Sequence, residues 1–216
     1  ELDCKPESRE FYGFADASPL AFGCVVYLRS TFPNGEIHCR FIAARGKVNK
    51  VNGYTLPRCE LLGARFLAPM IYNLKEFLDL PEDFPSKLFG DSMVALYWIK
   101  GNPDQWKTFV HNAVTIILRF TDPDDWHHVP GLENPADLLT RSHTPTEILE
   151  HKEWLNGPAF AYTNEIPKQP DFNKVTAEAA TEFKVKPDEQ LIAAALAAKA
   201  APPLSLVKQL MEAFGD

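Results

Sequence analysis

The sequence has no CxxC pair and no cysteine after Cys59, so Cys4, Cys24, Cys39 and Cys59 offer neither a zinc knuckle nor a zinc ribbon. Three of them lie on segments that read as strands or a helix start, and the spacing predicts buried free thiols in a reducing compartment rather than two disulfides. No apolar run approaches the length of a membrane span, and no basic stretch followed by an apolar one marks a leader. The first residue is Glu1 rather than Met, and the chain reads as soluble, intracellular and cut from something longer. A basic excess is also missing, since 22 Lys and Arg stand against 29 Asp and Glu for a net charge of −7. A protein that held nucleic acid by phosphate neutralisation alone would carry the opposite sign. Any activity on nucleic acid must therefore draw its affinity from metals or from neighbouring domains. There are no internal repeats. The 45% hydrophobic and 24% charged residues are ordinary for a folded domain, and 216 residues hold one domain with an appendage.

What is present alternates strands and helices. Residues 11–16 and 21–29 are aromatic and β-branched runs separated by Ala17-Ser18-Pro19-Leu20, a hairpin signal. Asn34-Gly35 supplies a second turn, and residues 36–48 read as a third strand. Pro57 suits a first helical turn, and Leu61, Leu62, Phe66, Leu67, Met70, Ile71 and Leu74 recur at helical spacing, which predicts one helix over 57–79, bent at Pro69. Residues 86–91 then predict a strand, 93–99 a helix, 104–120 a second amphipathic helix, 125–129 a strand and 134–140 a helix. This order predicts an α/β domain on a five-stranded mixed sheet, with three antiparallel strands and two parallel additions joined by helical crossovers. Trp98, Trp106, Trp126 and Trp154 occupy apolar positions and are expected in the core rather than stacked on bases. Residues 1–10 read as a lead-in. Pro167, Pro170 and Pro187 mark 161–187 as a linker, and 188–216 reads as a short helical tail with Leu204, Val207, Leu210, Met211 and Phe214 on one stripe.

Four acids sit at element edges rather than in charge runs. Asp16 closes the first strand, Glu60 falls in the first turn of the long helix, Asp91 ends the fourth strand, and Asp137 opens the helix after Pro130-Gly131. Singly, each has a plain explanation, because a first-turn acid suits the helix dipole and an Asp after a strand makes turns. Together they say more. Strands of one sheet bring their ends together, and like charges held close need cations between them. Oxygen ligands without His or Cys favour Mg²⁺ or Mn²⁺, and two such ions about 4 Å apart suit in-line attack of water on a phosphodiester. Arg58 and Lys47, near element ends beside these acids, are candidates for nucleic-acid phosphate contacts.

Five motifs follow one another in order. They are Phe14-Ala15-Asp16-Ala17-Ser18, Ala21-Phe22-Gly23-Cys24-Val25-Val26-Tyr27, Leu56-Pro57-Arg58-Cys59-Glu60-Leu61, Gly90-Asp91-Ser92 with Trp98-Ile99, and Trp126-His127-His128-Val129-Pro130-Gly131 with Asn134-Pro135-Ala136-Asp137. The succession resembles the ribonuclease H region of BEL/Pao-type LTR retrotransposon polyproteins over residues 11–160, with Trp154 and Gly157-Pro158 matching its end. The resemblance implies an RNase H-like fold and metal-dependent endonucleolytic cleavage of the RNA strand of RNA–DNA hybrids during reverse transcription. It also implies reverse transcriptase and integrase as neighbours in the polyprotein, and action in the cytoplasm, including virus-like particles. Asp16, Glu60, Asp91 and Asp137 fall on the four catalytic metal-ligand positions, for two Mg²⁺ or Mn²⁺ ions. Related retroviral domains carry a histidine on the loop after the Val-Pro motif, whereas here Val129-Pro130-Gly131 runs through Leu132 to Asp137 without one, and His127 and His128 precede it. The alternative is a catalytically inactive or host-adopted nucleic-acid-binding or structural module of the same fold. All four positions are acidic here, which argues against decay. An aspartic peptidase would need Asp-Thr/Ser-Gly, and Asp16-Ala17-Ser18 and Asp91-Ser92-Met93 lack the glycine. The integrase His-His-Cys-Cys zinc site is excluded because no cysteine follows Cys59.

Overall fold

Every residue from Phe11 to Ala17 is buried, as expected of a central strand covered on both faces. The computed structural model describes residues 5–50, 53–172 and 176–184. Strand β1 (Ser8–Ala17) pairs antiparallel with β2 (Ala21–Thr31), and β2 with β3 (Ile37–Val48), with a register shift at Val26/Tyr27. The long helix α1 (Leu56–Phe77) carries the chain across the sheet to β4 (Ser86–Gly90), which lies parallel to β1. Helices α2 (Met93–Lys100) and α3 (Thr108–Leu118) lead to β5 (Trp126–His128), parallel to β4. The order across the sheet is β3-β2-β1-β4-β5, the five-stranded mixed sheet of an RNase H-like fold.

The period-two alternation of strands divides the core into two layers. Phe11, Ala15, Cys24, Val26 and Leu88 meet α1, α2 and α3 on one face. Tyr12, Phe14, Val25, Tyr27 and Phe89 meet Val129, Ala136, Leu138 and Trp154 on the other. All four tryptophans are buried in these layers, as their positions predicted. Among the described residues Cys24, Cys39 and Cys59 are buried free thiols, while Cys4 lies outside them.

Helix α1 runs as one piece through Pro69. It lies against the first hairpin because Gly63 has no side chain: a Cβ there would stand 3.0 Å from the Asp16 carbonyl oxygen and 3.3 Å from that of Gly23. Two expected helices differ. The run 104–120 begins as a 3-10 turn, Pro103–Gln105, because the Asn102 side chain accepts from the Asp104 N–H, and the α-helix starts only at Thr108. The run 134–140 is a 3-10 helix, Pro135–Leu139, started by Asn134 accepting from the Ala136 N–H. Two further short helices, α4 (Pro145–Glu150) and α5 (Lys152–Asn156), follow.

The stretch expected as a linker is anchored to the domain at several of its described residues. The buried Arg29 donates to the carbonyls of Ala161 and Thr163, at 2.8 and 2.7 Å. Gln169 accepts from the His128 N–H and donates to the His128 carbonyl. Helix α6 (Ala177–Ala180) buries Ala179, whose carbonyl takes the Trp98 indole N–H, and Phe183 packs on Trp106. Proline gave this stretch the composition of a spacer, yet extended chain with side-chain anchors serves equally as a strap. The tail expected over 188–216 lies outside the described residues.

Candidate metal centre

Because β1 and β4 are parallel neighbours, their C-terminal ends emerge on the same side of the sheet. Asp16 is the penultimate residue of β1, and Asp91 follows directly on β4. Glu60 is brought over them by α1 at the Gly63 contact. One carboxylate oxygen from each of Asp16, Glu60 and Asp91 lies within 4.8 Å of the others. Glu60 is not in the first helical turn, where no acid occurs, so the helix dipole does not account for it.

Asp16 is 3% exposed, and the Thr140 hydroxyl donates to its Oδ2. Burial pushes the Asp16 carboxyl up to about 7; Asp91 and Asp137 add to this, while the Thr140 hydrogen bond and Arg141 oppose it. Burial, then Asp91 and Asp16, push Glu60 up to about 10. Asp91 is also raised, chiefly by burial, and its Oδ1 is buried with no hydrogen-bond partner. Three acids that repel one another at this range, with one buried oxygen unpartnered, fit a hard divalent cation.

Asp137 stands apart from this group of three. Its backbone is brought alongside by Asn134, whose side-chain amide donates to the Ala15 carbonyl at 2.9 Å, and its charge acts on Asp16, Glu60 and Asp91. Its Oδ2, however, lies 2.5 Å from Arg141 Nε. Sequence reasoning passed over Arg141 and Thr140; the four-residue spacing from Asp137 was the available signal for Arg141. The cations chosen from the sequence are placed otherwise. Arg58 is bound to Glu182 at 2.7 Å and lies over the Phe109 ring, while Lys47 is exposed near the end of β3, paired opposite Phe22. His127 packs on Phe89 and is held down to about 4 by burial, then by Lys100 and Lys87. His128 is near enough to Asp91 for its charge to favour the carboxylate.

A β3-β2-β1-β4-β5 mixed sheet with acids gathered where its two parallel central strands end defines an RNase H-like domain. Residues 2–92 match the family model described as the Pao retrotransposon-like RNaseH-like domain, and over that segment the family read from the motifs is confirmed. The match takes in Asp16, Glu60 and Asp91 and ends before Asp137. Among solved structures the chain is similar to the N-terminal RNase H domain of rv2228c from Mycobacterium tuberculosis, at 14% identity over 62% of this chain and 91% of that one, with a TM-score of 0.44. It is also similar to RNase H1 from the halophilic archaeon Halobacterium salinarum, at 16% identity over 61% and 93%, with a TM-score of 0.37. No curated protein matches the chain significantly.

Proposed function

We propose that the domain is a metal-dependent ribonuclease H that cuts the RNA strand of RNA–DNA hybrids endonucleolytically during retroelement reverse transcription. The observation that carries this reading is the convergence of Asp16, Glu60 and Asp91 from three separate elements, within a segment that matches the Pao-type family. Asp16, Glu60 and Asp91, with Asp137 beside them, are the residues that would hold two Mg²⁺ or Mn²⁺ ions. Bound there, such ions would supply an activated water and neutralise charge developing on a phosphodiester.

The chain's own residues prepare the place. Thr140 fixes the rotamer of Asp16, and the unpartnered Asp91 Oδ1 is free to act as a ligand. Gly131 leaves the flank of Asp91 open, because a Cβ there would stand 3.0 Å from Asp91 Oδ2. Asn134 anchors the 3-10 helix that carries Asp137 to the end of β1. No histidine occurs between Val129 and Asp137, and the His127 ring is packed on Phe89, while His128 lies close enough to Asp91 to act on its charge. With a net charge of −7, the domain would depend on ions and on neighbouring reverse transcriptase and integrase domains of a polyprotein for its grip on the hybrid, acting in the cytoplasm or in virus-like particles.

The test incubates the purified chain with a labelled RNA–DNA hybrid in Mg²⁺, in Mn²⁺ and in chelator, beside an Asp91→Asn variant. Metal-dependent loss of RNA that disappears in the variant is the expected result. Equal signals from the two proteins would sink the enzyme and favour a binding module.

A further inference from the structure

Among the described residues no basic side chain pairs with Asp16, Glu60 or Asp91, but Asp137 already has one. Arg141 Nε lies 2.5 Å from Asp137 Oδ2, with the arginine side chain 67% exposed and the aspartate 29%. The same guanidinium acts more weakly on Asp16 and Asp91. Beside the pair lies an open cleft of about 630 Å³, lined by Leu132, Asn134, Asp137, Arg141, His143 and His151. A side chain so exposed, with open space next to it, can leave its carboxylate without disturbing the fold.

We propose that Arg141 is a built-in counter-ion that competes with a divalent metal for Asp137. In the metal-free chain it neutralises the fourth acid. It must swing into the cleft before Asp137 can serve as a ligand, so two metals bind with unequal affinity, first at Asp16, Glu60 and Asp91 and then, more weakly, at the Asp137 side. The inference rests on the two-metal reading above. Exposed ion pairs are weak, so the competition amounts to roughly a twofold to fivefold handicap on the second ion.

The experiment titrates the full chain with Mn²⁺ and counts the free ion by electron paramagnetic resonance, for wild type, Arg141→Gln, Asp137→Asn and the double variant. Arg141→Gln is expected to tighten the weaker site by about twofold to fivefold and leave the tighter one within about twofold. In the Asp137→Asn background, removing Arg141 is expected to give no such gain, and Arg141→Lys, which keeps the charge, is expected to fall between wild type and Arg141→Gln. A weaker site unchanged by Arg141→Gln, or both sites tightened equally, would overturn the counter-ion role while leaving the two-metal reading in place. Failure of wild type and Arg141→Gln alike to bind Mn²⁺ would overturn both. Thermal melts of the metal-free proteins confirm that each variant is folded.

Discussion

Asp16 carries the clearest consequence at the scale of the single residue, because its proton is held to about pH 7 in the folded chain and is released near the ordinary carboxylate value of 3.8 once unfolded. Between those values the folded state binds a proton that the unfolded state does not, so stability falls as pH rises. The contribution is intact below pH 3.8 and lost once the folded-state value near 7 is passed. In chelator, the Tm of the wild type is expected to fall more steeply across this window than that of Asp16→Asn, and saturating Mg²⁺ should flatten the difference by standing in for the proton. His127 acts in the opposite sense, since its ring stays neutral to about 4 and its contribution is lost as pH falls below its ordinary value of 6.5. It is present in both proteins, so the comparison cancels it. Parallel melting profiles for the two proteins would contradict the assignment. Gly131→Ala makes a second test. Its Cβ would press on Asp91 Oδ2 at 3.0 Å from an exposed turn, so hybrid cleavage should drop by roughly tenfold to a hundredfold while the denaturant midpoint hardly moves.

At the scale of the element, the seat of α1 on the hairpin governs where Glu60 stands. Gly63→Ala sets a methyl against two backbone carbonyls, at 3.0 and 3.3 Å, neither of which is the free end of a flexible side chain. The helix must shift, and the variant is expected to lose about 1–3 kcal/mol in urea denaturation and to bind Mn²⁺ more weakly. A variant with wild-type stability and metal affinity would show that the contact gives way easily. Elements of this length were legible in the sequence, because ten residues of β1 and twenty-two of α1 repeat their period several times. Helices α4 and α5 are each six residues or fewer and hold too little of a period to be told from a turn, while the helix expected at 134–140 is there but in 3-10 form. The same limit explains the site. Asp16, Glu60 and Asp91 lie in ordered motifs on long elements. Thr140 and Arg141 reach the acids only through the path of a short irregular segment, and Arg58 is drawn away by Glu182, a partner 124 residues further on.

At the scale of the molecule, residues 161–172 and 176–184 belong to the folded unit rather than trailing from it. Cutting the chain after residue 160 would strip Trp98 of its Ala179 hydrogen bond, Trp106 of Phe183 and Arg58 of Glu182. With the half-buried Phe172 and Phe183 lost, and the buried Ala161 and Ala179 with them, the shortened chain is expected to be less stable by roughly 2–3 kcal/mol. Its tryptophan emission should move to longer wavelength, and emission and stability identical to those of the whole chain would show the strap to be passive. The hold of Gln169 on β5 reaches further. It occupies both backbone groups of His128, so that edge offers no ready template, while β3 forms the other edge and has no strand beyond it among the described residues. A strand added by a second copy is thereby directed to the β3 edge, where two copies meeting edge to edge would close as a pair rather than extend into a fibre.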